Sequence, residues 1–175
     1  MSASMTMSQI EKLIRDVPDF PKPGILFKDI TPVLSHGPAF QSMTTHLAEL
    51  VPPGTTRLAS IESRGFILGA AVAMKLGLGM VLIRKPGKLP YATLSHSYEL
   101  EYGKDTLQIH VDALSANDKV CIIDDVLATG GTASATEILC VETGATVSGF
   151  AFLMELGFLN GRKKLKANSR SLITL

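Results

Sequence analysis

The sequence predicts an α/β domain, a mostly parallel sheet flanked by helices, and three observations carry that expectation. Apolar runs of strand length alternate with stretches of helical period, and strand–helix–strand order is met by parallel strands joined through crossover helices. The run Val120 to Ile123 is apolar at every position, as a strand covered on both faces must be. At 175 residues and 46% hydrophobic content, the chain is expected to form a single domain over residues 1–175 with a core of useful size.

The elements follow in order. Ser8 and Glu11 have the spacing of a capping box for a first helix with Ile10, Leu13, Ile14 and Val17 on its apolar face, ended by Pro18, Pro21 and Pro23. Pro38 opens a second helix carrying Phe40, Met43, Leu47 and Leu50 at helical spacing, closed by Pro52-Pro53-Gly54. Strands are expected at about residues 57–61 and 80–83, separated by a small-residue helix over 65–76. Between Lys85 and Leu107 the pattern breaks at Pro86, Gly87, Pro90 and several polar residues, before a strand over 106–111; so long an irregular stretch in a compact domain is usually functional or mobile. After the strand over 120–123 come a helix with Ala135, Ile138 and Leu139 on one face, stopped by Gly144, and a long strand over 146–156. A short helix over 158–164 and a last strand over 171–175 finish the chain.

Composition excludes some classes of function. A net charge of +1 argues against a nucleic-acid partner, which calls for a basic face or stripe. Basic residues cluster only at 84–88 and 162–166, and the second cluster is expected to be a solvated helix end complementing the helix dipole. No apolar run has transmembrane length and residues 1–7 are too polar for a signal peptide, so no membrane role and a cytoplasmic location are expected. Cys121 and Cys140 are read as free thiols in a reducing compartment, and no Cys/His spacing suits a metal.

Residues 119–132, KVCIIDDVLATGGT, carry the chemistry. A buried strand ends in Asp124 and Asp125, and Ala128-Thr129-Gly130-Gly131-Thr132 leads into a helix. Small residues let backbone N–H groups approach a phosphate, with the positive end of the helix behind them, and Thr129 and Thr132 add hydroxyls. The aspartates would repel that phosphate but accept hydrogen bonds from neutral hydroxyls, which points to a ribose with its 5-phosphate in the loop. An ordinary strand-to-helix turn with a solvated acid pair would explain a lone DD or GG, but not the whole string.

That string resembles the phosphoribosyl-diphosphate binding motif of the type I phosphoribosyltransferases. Further matching segments are Asp19-Phe20-Pro21-Lys22-Pro23-Gly24 with Phe27-Lys28-Asp29-Ile30, Glu62-Ser63-Arg64-Gly65-Phe66, residues 82–90 (LIRKPGKLP) and Glu99-Leu100-Glu101-Tyr102-Gly103. They stand in the family's order, cover the chain from about residue 8 to its end, and narrow the resemblance to members that use adenine. The resemblance implies a small hood, a flexible active-site loop, and purine salvage: transfer of the 5-phosphoribosyl group from 5-phospho-α-D-ribose 1-diphosphate (PRPP) to adenine, giving AMP and diphosphate. It also implies Mg²⁺ bound chiefly through PRPP and diphosphate, and a homodimer in which Arg84 reaches the neighbouring site.

Roles carry over residue by residue. Asp124 and Asp125 would hold the ribose, and Ala128, Thr129, Gly130, Gly131 and Thr132 the 5-phosphate. Ser63, Arg64, Lys85 and Lys88, with Arg84, would neutralise the diphosphate as its charge develops, and the 62–65 turn is expected to have unusual backbone geometry. Leu26, Phe27, Lys28 and Leu156 would enclose and read adenine. Glu101 would meet the imidazole side of the base and assist proton movement, and Tyr102 would belong to the closing segment. Two departures stand out: Val126 where many relatives have a larger aliphatic residue, and Glu62 where several have aspartate. The tail from Gly157 onward matches more loosely. Two alternatives stay open, an oxopurine in place of adenine and a transcriptional regulator that senses the donor; the latter normally needs a nucleic-acid-binding surface or an added domain.

Overall fold

A computed structural model describes residues 4–99 and 103–175, in two compact units, residues 1–46 and 47–175. The first unit holds α1 (Met7–Glu11), β1 (Arg15–Pro18), β2 (Leu26–Asp29), α2 (Thr31–Ser35) and most of α3 (Gly37–Leu50), which runs on into the second. Its first helix differs from the sequence expectation. The capping box is Thr6 with Gln9, two residues upstream of Ser8 and Glu11: Gln9 N donates to Thr6 Oγ1 at 3.3 Å and Thr6 N donates to Gln9 Oε1 at 2.9 Å. The helix stops after five residues, and Val17 lies in β1, which pairs antiparallel with β2. Strand pairing, reinforced by Lys28 Nζ on Asp16 Oδ1 at 2.6 Å, overrides the local helical spacing. Between the two strands Asp19 Oδ1 accepts from Gly24 N at 2.7 Å, closing the turn of the Phe-Pro-Lys-Pro segment.

The second unit holds β3 (Arg57–Ile61), α4 (Arg64–Leu76), β4 (Gly79–Ile83), β5 (Thr93–Glu99), β6 (Lys104–His110), β7 (Lys119–Leu127), α5 (Gly131–Glu142), β8 (Thr146–Glu155), two 3-10 turns (Gly157–Leu159 and Gly161–Lys164) and β9 (Ser169–Thr174). Five strands form one parallel sheet in the order β4-β3-β7-β8-β9, with β7 in the centre. Ala59, Ile61, Val120 and Ile122 join Ala135, Leu139 and Cys140 of α5 in one apolar cluster. On the opposite face α4 lies so close that a Cβ on Gly69 would overlap Ser60 Oγ and come within 3.1 Å of Ile123. The sheet is therefore covered on both sides, as the continuous apolar run of β7 requires.

Three further expectations are corrected. Residues 93–99 and 104–110 pair antiparallel, β5 with β6, where the sequence showed a break followed by one strand. Leu94, Leu107 and Ile109 face the core, while outward positions pair polar groups, such as Ser97 Oγ with Thr106 Oγ1 at 2.8 Å. β7 does not end in the acid pair but continues through Asp124 and Asp125 to Leu127. The basic cluster does end a short 3-10 turn in solvent, but Arg162 is not merely solvated there: its Nε donates to Glu155 Oε2 at 2.5 Å and its Nη1 to the Ser169 carbonyl at 2.6 Å, neutralising a carboxylate that is only 5% exposed.

Candidate functional site

The carboxyl ends of β3, β4, β7 and β8 gather most of the residues singled out from the sequence, where ligands of open α/β sheets bind. Asp124 is half-buried and Asp125 buried near the end of β7. Asp125 N donates to Asp124 Oδ1 at 2.9 Å, and Asp125 Oδ2 lies 2.6 Å from Arg64 Nε. Burial holds the Asp124 carboxyl well above the usual carboxylate range, and the neighbouring Asp125 charge raises it further. Burial also raises Asp125, with Arg64 opposing it. Two acceptors are thus held side by side in a place that favours neutral hydroxyl partners over solvent.

Arg64 reaches the pair because it opens α4. Glu62 N donates to the Ile83 carbonyl at 3.0 Å, the Glu62–Ser63 peptide is cis, and Ser63 caps the helix by position. A Cβ on Gly65 would lie 2.7 Å from Asp124 Oδ1, so only glycine lets this turn sit against the acid pair. Glu62 also holds the basic segment: Arg84 Nε donates to its Oε2 at 2.9 Å, Arg84 Nη1 to the Lys88 carbonyl at 3.0 Å, and the guanidinium carbon stands 5.8 Å from the Phe66 ring centre. Arg84 is therefore tied both to the turn after β3 and to its own segment after β4. Lys85 Nζ lies 3.1 Å from Asp105 Oδ2, and the Lys88 side chain is exposed.

After β7, Ala128 and Thr129 lead to Gly130, whose φ of +78° is open to glycine at little cost. α5 then starts at Gly131, and its first helical bond is Ser134 N to the Gly130 carbonyl at 2.9 Å. The N–H groups of Gly131, Thr132 and Ala133 precede that bond and stand at the positive end of a 12-residue helix. The loop rests backbone to backbone on the C-terminal 3-10 turn: a Cβ on Gly130 would overlap the Gly161 carbonyl, and one on Gly161 would overlap the Ala128 carbonyl. Leu156 N donates to the Leu127 carbonyl at 2.9 Å, which sets Leu156 beside the same loop.

Leu26, Phe27 and Lys28 lie on β2 of the first unit, with the Phe27 ring edge-on to Phe20 at 5.1 Å between centres. Glu101 and Tyr102 lie outside the described residues. Sequence reasoning missed three contributors: Tyr98, whose hydroxyl is 3.1 Å from Thr132 Oγ1; Asp105, which joins Tyr98 to Lys85; and Gly161 beneath the loop. Alternating polar and apolar residues across 93–110 could have revealed the hairpin and hence the first two; nothing local marks Gly161.

Comparison with known proteins gives a consistent result. Residues 52–160 match the phosphoribosyl transferase domain family. The chain is 57% identical over 162 residues to the adenine phosphoribosyltransferase of Synechococcus sp. (strain JA-3-3Ab), covering 89% of this chain and 90% of that one. It is 54% identical over 163 residues to that of Streptomyces clavuligerus, covering 93% and 92%. Among solved structures it is similar to the Thermoanaerobacter pseudethanolicus adenine phosphoribosyltransferase, with a TM-score of 0.95 at 49% identity over 97% of this chain and 100% of that one. The Saccharomyces cerevisiae enzyme, solved with adenine and an imino-altritol bisphosphate, gives 0.90 at 38% identity over 95% and 97%.

The raised carboxyl of Asp124 has a consequence for stability. Its folded form binds a proton more readily than the unfolded chain does, so stability is lost as pH rises from the ordinary carboxylate range through the raised value. Asp124→Asn removes that loss. Its thermal midpoint at pH 7 should exceed that of the parent by roughly 3 °C, with the difference closing near pH 4, in calorimetric scans across that range.

Proposed function

Because the chain belongs to the phosphoribosyltransferase family, we propose that it transfers the 5-phosphoribosyl group of PRPP to adenine, releasing AMP and diphosphate in purine salvage. The observation that carries the proposal is the acid pair of β7, one short glycine loop before the N-terminus of α5, in a chain so close in sequence to adenine phosphoribosyltransferases. In the reaction the bond from ribose C1 to the diphosphate oxygen breaks, the bond to adenine N9 forms, and the N9 proton departs. Residues 1–175 are read as one phosphoribosyltransferase domain.

The assigned roles follow from the chemistry of each group. Asp124 and Asp125 accept from the ribose 2- and 3-hydroxyls, holding C1 in place as it gains oxocarbenium character. Residues 128–132 take the 5-phosphate through backbone N–H groups and the two threonine hydroxyls. Ser63, Arg64, Arg84, Lys85 and Lys88 neutralise the departing diphosphate. In the first unit Leu26, Phe27 and Lys28 are assigned to adenine, and in the second Leu156. Glu101 is assigned to proton movement at the imidazole side of the base, and Tyr102 to closure against water.

Magnesium fits this arrangement as a passenger of the donor. Among the described residues no group of three or more His, Cys, Asp or Glu could hold a metal, and the acid pair already faces Arg64, so the ion would be held by PRPP oxygens and waters. When bound it would neutralise charge on the diphosphate. A cytoplasmic location belongs to the same proposal. Cys121 and Cys140 are free and buried, burial pushes both thiols up to about 12, and no described helix is long and apolar enough to cross a membrane.

A homodimer is also proposed. Ile67, Met74 and Leu76 of α4 and Leu82 of edge strand β4 are exposed apolar side chains, Met74 at 84%, and the basic segment follows β4 directly. Sedimentation of the wild type should give twice the chain mass, and Met74→Glu should shift it toward the monomer; a wild-type monomer sinks the dimer. For the reaction itself, PRPP and Mg²⁺ are incubated separately with adenine, hypoxanthine, guanine and xanthine. AMP from adenine alone is expected. Product from an oxopurine would correct the base assignment, and none from any base would favour donor sensing. Glu101→Leu should lower turnover by about 100-fold with an unchanged circular-dichroism spectrum, and unchanged turnover would remove Glu101 from the chemistry.

A further inference from the structure

Thr132 is assigned to the 5-phosphate, yet its hydroxyl already has a neighbour. Tyr98 OH lies 3.1 Å from Thr132 Oγ1 and, on a longer contact of 3.4 Å, touches Asp105 Oδ2. Tyr98 and Asp105 face each other across the β5–β6 ladder, and Asp105 also holds Lys85 Nζ at 3.1 Å. The Tyr98 ring lies against the loop itself, its Cδ2 3.2 Å from where a Cβ on Gly131 would sit. One phenol thus joins the phosphate loop, the hairpin and the basic segment, and the mechanism above makes no use of it.

A count of protons decides what this linkage does. Each hydroxyl has one proton to donate, whereas a carboxylate and a bound phosphate dianion only accept. If Tyr98 donates to Asp105, the Tyr98–Thr132 contact must use the Thr132 proton, leaving none for a phosphate. Once a phosphate takes the Thr132 proton, the Tyr98–Thr132 hydrogen bond survives only if Tyr98 turns its own proton toward Thr132, and Asp105 then loses that donor. Burial would raise the Asp105 carboxyl, but Lys85, Thr106 N–H and Tyr98 together bring it below its ordinary value, so it stays an acceptor. Burial holds the Tyr98 phenol above its ordinary value, so the proton being shared is retained at neutral pH.

We propose that Tyr98 is a positioning residue that couples occupancy of the 5-phosphate loop to the β5–β6 hairpin by moving its hydrogen bond from Asp105 to Thr132. The inference rests on the assignment of Thr132 to the 5-phosphate. In the occupied state Tyr98 donates to Thr132, aims that hydroxyl at the phosphate and fixes β5 on the first turn of α5. Asp105 then keeps Lys85 and Thr106 N–H.

The test measures ribose 5-phosphate binding by calorimetry and amide hydrogen exchange over residues 93–110 in the wild type, Tyr98→Phe and Asp105→Ala, with steady-state constants for PRPP and adenine. Tyr98→Phe should weaken ribose 5-phosphate roughly fivefold, raise KM for PRPP by a similar factor with KM for adenine unchanged, and abolish ligand-induced protection of the hairpin. Asp105→Ala removes the competing acceptor and should bind ribose 5-phosphate at least as tightly as the wild type, a sign that loss of packing would not produce. Equal weakening in both variants, or wild-type affinity in Tyr98→Phe, overturns the coupling. Should Tyr98→Phe not fold, the absence of ligand-induced protection in the wild type overturns it as well. A wild type that binds ribose 5-phosphate but forms no AMP overturns the catalytic reading alone, since the affinity ratios still judge the coupling. A wild type that does not bind ribose 5-phosphate overturns the phosphate assignment and the coupling together.

Discussion

Two carboxylates held side by side near the end of a buried strand repel each other and lose hydration, and the architecture around them offsets that cost. Arg64 lies 2.6 Å from Asp125 because α4 starts there, and α4 can start there because Gly65 presents no side chain to Asp124. Glu62, one turn back, supplies the opposite charge for Arg84 at the end of β4. Charges of alternating sign therefore run from the centre of the sheet to its edge, each set by the partner before it. The arrangement holds both carboxyl groups close together, at a cost in stability that sites built for binding commonly carry.

Close backbone approach is the second constraint. Gly69 lets α4 settle over Ser60 and Ile123, and Gly130 faces Gly161 with no room for a Cβ on either. Such contacts place helix ends more sharply than side-chain packing could, because backbone has fewer ways to yield. The α4 contact fixes the 62–65 turn, and the Gly130–Gly161 contact fixes the glycine loop after β7. Arg162 then locks the tail by bridging Glu155 and the Ser169 carbonyl, so the floor of the loop is itself tied to β8 and β9.

The central sheet was legible in the sequence because β7 and β8 are buried on both faces and so leave unbroken apolar runs, and β3 is interrupted only by Ser60. The acid pair and the glycine turn into α5 were legible because they are local: residues 124–132 hold both in one stretch. What escaped was set by pairing across distance. The first helix failed because Arg15–Pro18 gains more by pairing with Leu26–Asp29 than by continuing a turn. The β5–β6 pair was hidden because its outward positions carry Ser95, Ser97, Thr106 and Gln108, which read as loop until their cross-strand partners are known. Arg162 looked like one more solvated cation because Glu155, its partner, stands seven residues away on another element.

The contact between Gly161 and the loop of residues 128–131 bears on how the protein is made. Synthesis proceeds from the N-terminus, and by the time residue 156 has been added every side chain assigned to the chemistry is in place. The surface on which the loop rests has not yet been added. A nascent or prematurely terminated chain of that length would carry the acid pair and the glycine loop without the backbone that shapes them. The tail, the stretch whose sequence advertises its part least, is thus what completes the support of the loop.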